Sequence, residues 1–472
     1  MATSATARRG GLDGYFKITD RGSSVRTEVI AGLTTFMTMA YILFLNPLIL
    51  SIPDREGTTL APEAVLTVTA LAAGITTIAM GLFANYPFAI AAGLGLNAVV
   101  AFQLVGGGLT WPEAMGVIVT EGIIIFILVL TKFRQAVMEA VPLPLKHAIA
   151  VGIGLFITII GLVDAGFVTR PEASGGPPVQ LGTGGELRGW PVLVFVIGLL
   201  LIIFLYTRGV RGSLLIGILA STALAVVVNE TFLDGEGFQG KATFGTLIDV
   251  PTGENFSLIG NFSFGFFAEM GAIAAVLAIF TIMLSDFFDT MGTAIGLGRE
   301  ADLLDDEGRL PNVDRVLAVD SGAAIVGGAF SASSNTTYIE SASGIAEGGR
   351  TGLTAVVVGV LFLLSVFLSP LAGIVPLQAA APALVIVGFL MMTTVREIPW
   401  DDLDLAIPAF LTIVVMPFTY SITNGIGAGF VAYVFIQVTR GRAREGVRPM
   451  MWIAAIAFLI YFAIFYVRDY LT

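Results

Sequence analysis

Apolar residues run along this chain in long blocks separated by short polar stretches. The blocks fall at 28–50, 63–84, 88–103, 113–131, 145–163, 190–206, 211–229, 266–297, 314–329, 335–347, 351–370, 376–394, 404–420 and 423–438, with a further one at 450–467. A helix crosses the hydrocarbon of a bilayer in about 20 residues, so most of the blocks predict membrane-spanning helices. The third and the tenth are too short to cross. Blocks one to seven and eight to fourteen repeat one spacing: the third of each set is short and broken, and the sixth and seventh are joined by a tight turn, "YTRGVRGS" and "TYSITNG". Because seven is odd, the second set enters from the opposite face. The pattern predicts an all-α polytopic membrane protein, with fourteen transmembrane segments in two inverted seven-helix repeats, as in many transporters.

The two short blocks matter most. The third, "NYPFAIAAGLGLNAVVAF", suits an extended piece at 88–92, then Gly93 and Gly95 before a short helix. The tenth, "GGAFSASSNTTYIESASG", suits an extended piece at 329–333 and a helix capped by Asn335 or Thr336. Irregular backbone survives at membrane depth only inside protein or along a cavity. Each half-helix also starts with unpaired N–H groups and a positive dipole end. Two such starts facing each other predict a polar pocket near the midplane. Gly95 would let the backbones meet, close to Ser333, because a Cβ there would intrude.

Three acids lie in the same apolar sequence. Asp286 and Asp289, in "LSDFFDTMG", are three apart and share a helix face. A carboxylate at membrane depth is a functional candidate by default. Glu340 is expected one turn inside the tenth half-helix. There it could accept two ligand N–H groups in strong charge-assisted bonds, as the edge of a purine or pyrimidine offers. No Lys or Arg lies deep inside an apolar block, so an anionic substrate is disfavoured and a neutral hydrogen-bonding solute or a cation is favoured. Asp286 is expected to face the ligand and Asp289 to serve coupling or local hydrogen bonding. Asn97, in the first turn of the third half-helix, is expected to orient an acid or the ligand. Glu121 reads chiefly as a buried contact between helices, with a proton path as the other reading. Tyr41 and Asn46 read as packing or pocket neighbours, and His147 as an interfacial residue.

Composition agrees with a lipid bilayer as solvent. The chain is 56% hydrophobic and 12% charged, with mean hydropathy +0.90, against about 25% charged residues in soluble domains. No cysteine and a single histidine exclude disulfides, thiol catalysis and a His-rich metal site. A net charge of −11 argues against nucleic acid polymers. No cleavable signal peptide is visible. With the N-terminus in the cytoplasm, nineteen of the 24 basic residues fall inside, among them Arg8, Arg9, Lys132, Arg134 and the cluster at Arg440, Arg442, Arg444 and Arg448. This predicts an inner or plasma membrane protein with a cytoplasmic tail at 1–27 and loops 164–189 and 230–262 outside. Residues 439–472 form a basic loop and an extra C-terminal apolar segment. No Walker motif points to direct ATP drive, and no cofactor is called for. The acidic stretch "GREADLLDDEGRLPNVDR" reads as a solvated loop.

The chain resembles the AzgA-like branch of the nucleobase/cation symporters, within the xanthine/uracil permease superfamily. The blocks that carry the likeness are "RTEVIAGLTTFMTMAYILFLNP", "GLNA", "KHAIAVGIGLFITIIGL", "DFFDTMGTAIG", "TTYIESASGIAEGGRTGLTAVVVG" and "PAFLTIVVMPFTYSITNGIGAGF". The resemblance implies a core domain (28–131 and 266–370) and a gate domain (145–229 and 376–438), with short strands of helices three and ten pairing at the substrate site. It implies that Asp286 and Glu340 hold a purine, that Asn97 and Gly95 support the site, and that Asp289 is the second acid. Thr336, the cap candidate of the tenth half-helix, is the further substrate-binding candidate. Two departures fall in the strand pieces: Ala92 where Pro is usual, and "SASSNTTYIES" where "GTSTTTTYIES" is frequent.

The expectation is a secondary active importer of adenine, guanine or hypoxanthine, not an enzyme. H⁺ is the expected symported ion and Na⁺ the other candidate, with Asp289, Asp286 and Glu340 as coupling residues. A homodimer is compatible with the sequence. The alternative within the fold is a xanthine or uracil permease. The alternative of another class is a membrane prenyltransferase using the Asp pair for Mg²⁺, but a second Asp-rich motif and basic residues for a diphosphate are missing. A channel would need a continuous pore, which acids on half-helices suit poorly.

Overall fold

The apolar blocks fold as helices. The computed structural model describes residues 11–131, 141–171, 177–305 and 309–471. Arg8, Arg9, Lys132 and Arg134 lie outside the described residues. In chain order the principal elements are α1 (Leu12–Phe16), α2 (Val25–Met39), α3 (Ile42–Ile49), α4 (Pro62–Ala79), β1 (Ile90–Ala92), α5 (Leu94–Ala98), α6 (Trp111–Leu130) and α7 (Leu143–Asp164). A hairpin of β2 (Val168–Thr169) and β3 (Gln180–Leu181) precedes α8 (Trp190–Thr207) and α9 (Ser213–Phe232). Then come α10 (Ala272–Glu300), α11 (Val313–Ala329), β4 (Asn335–Thr337), α12 (Ser341–Ala346) and α13 (Gly352–Leu364). The chain closes with α14 (Leu377–Met392), α15 (Leu403–Thr419), α16 (Ile422–Thr439) and α17 (Pro449–Leu471). Among the described residues, nine helices are long and apolar enough to cross a membrane.

Packing sorts the helices into two sets. Helices α7, α8, α9, α14, α15 and α16 pack chiefly on one another, while α2 to α6 and α10 to α13 pack around β1 and β4. At the end of the molecule where the chain begins, Glu28 is fully buried. It accepts hydrogen bonds from the Arg350 and Thr351 backbone N–H groups (3.0 and 3.2 Å) and from the Thr354 hydroxyl (2.6 Å). An acid there also suits the positive start of α13. Arg21 donates to the carbonyls of Asn85 (2.6 Å) and Arg350 (2.9 Å), closing the same knot. At the opposite end, Arg55 pairs with Glu113 (3.3 Å) and Glu269 (2.6 Å).

The short blocks break as expected but not at the expected residues. β1 covers 90–92, inside the anticipated 88–92. In the tenth block α11 runs on to Ala329, and the strand is Asn335–Thr337 instead of 329–333. β-branched threonines suit a pleated ladder better than the small residues of "AFSAS". Asn335 and Thr336 therefore lie in the ladder and do not cap a helix. The helix begins only at Ser341, because Tyr338 is still tied to β1, its N–H on the Ala89 carbonyl (2.9 Å) and its hydroxyl on that of Ala92 (2.5 Å). Glu340 is consequently the N-cap residue of α12, not one turn inside it.

Candidate functional site

The site is built around an antiparallel ladder pairing Ile90 with Thr337, Ala91 with Thr336 and Ala92 with Asn335. A two-stranded ladder has two open edges, and burial demands partners for both. The Thr77 hydroxyl serves Ile90, donating to its carbonyl (2.8 Å) and accepting from its N–H (2.9 Å). Asp320 of α11 serves β4. Its carboxylate accepts from the Thr337 N–H (2.8 Å), the Thr337 hydroxyl (2.7 Å) and the Thr290 hydroxyl of α10 (2.7 Å). Thr290 and Thr336 hydroxyls meet at 2.7 Å. Asp320 therefore fixes the strand to two helices, a position that sequence reading passed over. The available signal was a lone acid inside the expected ninth segment.

Around this frame the candidate residues separate. Glu340 is half-buried, and its Oε1 accepts from the Tyr41 hydroxyl at 2.5 Å. Asp289 is exposed and lies within electrostatic reach of Glu340 and Asp320. Asp286, one turn earlier on α10, is buried, with both oxygens lacking a hydrogen-bond donor. So the shared helix face is divided: Asp289 meets open space, while Asp286 points into the packed interior. Thr336 is buried with its hydroxyl on Thr290. Asn97 is fully buried and donates to Asn46 Oδ1 at 2.7 Å, while Asn46 donates to the Thr69 hydroxyl (2.7 Å) and the Ala332 carbonyl (3.0 Å). Asn97 is thus held by Asn46 and not by an acid, and its own Oδ1 has no donor.

The close approach expected of Gly95 belongs to Gly93. The Gly93 N–H donates to the Ser334 carbonyl at 2.9 Å, and a Cβ on Gly93 would sit 2.9 Å from the Thr336 methyl. A Cβ on Gly95 would instead meet Ile153 of α7 at 2.8 Å. Gly93→Ala should therefore loosen the ladder and Gly95→Ala the packing of α5 on α7, each costing roughly 1–3 kcal/mol, as overpacking does. Thermal melting of the two variants checks this; an unchanged melting temperature in either would show that its neighbour yields freely.

Asp289, Gly292 and Gly296 lie on one face of α10 and are all exposed, and a Cβ on either glycine would meet nothing within 4 Å. Farther toward the start of α10 that face is covered, with Ser285 and Ile282 buried. On the far side Gln103 Oε1 accepts from the Ser421 hydroxyl (3.3 Å), the Thr423 N–H (3.3 Å) and the Thr423 hydroxyl (2.9 Å). Tyr420 packs edge-on against Phe102 and Phe156. These contacts join the two helix sets.

Long apolar helices around two paired broken segments that bury polar groups mark a polytopic membrane transport protein. Residues 26–427 match the family model described as "Permease family", that of the xanthine/uracil permeases. The chain belongs to this family. It is 41% identical over 439 residues to the adenine permease AdeQ of Escherichia coli K12, spanning 92% of this chain and 93% of that one. It is 39% identical over 458 residues to the guanine/hypoxanthine permease PbuG of Bacillus subtilis, spanning 95% and 98%. The fold resembles the transmembrane domain of the cyanobacterial bicarbonate transporter BicA (TM-score 0.60, 15% identity, 86% of this chain and 97% of that one). It also resembles murine Slc26a9 in its inward-facing state (TM-score 0.64, 10% identity, 93% and 74%).

Proposed function

We propose that this protein imports purine nucleobases (adenine, guanine or hypoxanthine) by cation symport, with H⁺ as the ion, through alternating access. The observation that carries the reading is the pairing of the two broken segments, which holds a half-buried Glu340 beside an exposed Asp289. These carboxylates suit the N–H groups of a purine edge, and the relatives at about 40% identity are adenine and guanine/hypoxanthine permeases. On this reading the fourteen segments form two inverted repeats. The set around β1 and β4 is the core, the other set is the gate, and the N-terminus is cytoplasmic. The exposed stripe of Asp289, Gly292 and Gly296 then lies toward the cytoplasm, and the Gln103 contacts with Ser421 and Thr423 lie toward the outside.

Burial orders the acid pair differently from the sequence expectation. Asp289, exposed beside Glu340, is proposed as the second ligand-facing acid, with Asp286 behind it in coupling. Asn97 and Gly95 shape the wall toward α7, and Thr336 stiffens the floor through Thr290.

Uptake of labelled adenine, guanine, hypoxanthine, xanthine and uracil, with and without a protonophore, tests the reading. Uptake of at least one of the three purines should be saturable and should fall about tenfold when the proton gradient is collapsed. Uptake of xanthine or uracil alone would move the protein to another substrate class. Uptake indifferent to the protonophore but dependent on Na⁺ would replace the ion.

A further inference from the structure

Glu121 lies in the middle of α6, among apolar residues well beyond Glu113 in its first turn, and is fully buried. Neither of its oxygens receives a donor, and the same is true of Asp286 on α10. The two acids lie in the seam where Ile125 and Val129 of α6 pack against Met283, Phe287 and Met291 of α10, close enough to act on each other electrostatically. Two carboxylates cannot hydrogen-bond each other; an acid and a carboxylate sharing one proton can, and like charges held this close cannot both ionise. The surroundings offer no relief. The charged groups acting on the pair are Asp320 from α11, and for Asp286 also Asp289 from its own helix, all of the same sign. Asp320 is already saturated by Thr290 and Thr337. An unpaired buried charge is strongly destabilising, so two buried acids without donors favour a state in which they hold one proton between them.

We propose that Glu121 and Asp286 together form the binding site of the coupling proton, lying behind the substrate pocket and separate from the acids that face it. This rests on the reading of the protein as a proton-coupled purine permease. One proton entering the pair turns two carboxylates into a hydrogen-bonded acid and carboxylate, drawing α10 onto α6. Its departure leaves two like charges that repel and push the helices apart. Asp289 sits one turn from Asp286 on the same helix, so this displacement moves a ligand-facing acid. Glu121 acts through Asp286 and α10 and does not touch the purine.

The test uses the full chain reconstituted in liposomes loaded with a pH-sensitive dye, following purine entry and proton entry together. Glu121→Gln should bind purine with near wild-type affinity and exchange internal for external purine. Its net uptake under a proton gradient should fall by about tenfold or more, and no proton should accompany the purine. Proton entry per purine equal to that of wild type would overturn the proposal. Infrared spectra of the wild-type protein and of Glu121→Asp supply a reading independent of transport and of how Glu121→Gln folds. A protonated-carboxyl band should persist at neutral pH in wild type and weaken in Glu121→Asp, which shortens the reach to Asp286. Absence of that band from wild type, or its full retention in Glu121→Asp, also overturns the pair. A wild-type protein that shows the band but moves no purine would sink the substrate reading and leave the shared proton standing.

Discussion

Glu340→Gln should abolish high-affinity purine binding while leaving the fold intact. Glu340 is the N-cap residue of α12 and stays half exposed, with one oxygen taking the Tyr41 hydroxyl at 2.5 Å. Glutamine preserves the volume but replaces an acceptor oxygen with an NH₂ donor, which meets the donor edge of the ligand head-on. A hydrogen bond to a charged group is worth roughly 1.5–3 kcal/mol, and leaving a buried donor unmatched adds to the loss. Affinity should therefore weaken by about 10- to 100-fold or more. Tyr41→Phe removes only the neighbour that orients Glu340 and should cost about tenfold or less. Equilibrium binding of labelled adenine, guanine and hypoxanthine to the purified variants, with melting temperatures as the control for folding, decides the matter. Wild-type affinity in Glu340→Gln would remove this residue from the pocket.

Asp320→Ala should be the most damaging single substitution for the fold of the site. Three donors converge on this carboxylate, one of them a strand N–H that has no water to turn to. Each buried donor left unmatched costs roughly 1–3 kcal/mol, so the sum is about 3 kcal/mol or more, and little folded protein should survive extraction. Asp320→Asn keeps one acceptor oxygen and should fall between. Yield of monodisperse protein on size-exclusion chromatography, with thermal melting, measures both. A well-folded Asp320→Ala protein that still transports would show that β4 is held by the ladder alone.

The apolar blocks gave the helices their places to within a few residues. The block at 63–84 corresponds to the continuous helix Pro62–Ala84, and that at 113–131 to Trp111–Leu130. That legibility has a plain cause: lipid imposes helix on any long apolar run, since backbone groups must be satisfied within the segment. The broken blocks were visible by their length, but not the residues that pair in them. Small residues at 329–333 and the Asn335, Thr336, Thr337 run are both compatible with extended backbone, and only the partner strand chooses. The role of Asp320 was hidden for a similar reason. Its partners Thr290 and Thr337 are distant in sequence, and nothing in "LAVDSGAAIVGG" shows a strand N–H waiting beside it. Spacing did put Asp286 and Asp289 on one face. It could not show that α6 covers the first with Glu121 and leaves the second open.

The ladder between β1 and β4 also constrains the order of synthesis. The first strand enters the membrane when the chain is about a fifth made; its partner follows when more than two thirds has been translated. Thr77 can protect one edge of Ile90 at once, because α4 emerges before it. The other edge has no partner until residues 335–337 arrive. The second half of the chain therefore completes an edge that the first half leaves open.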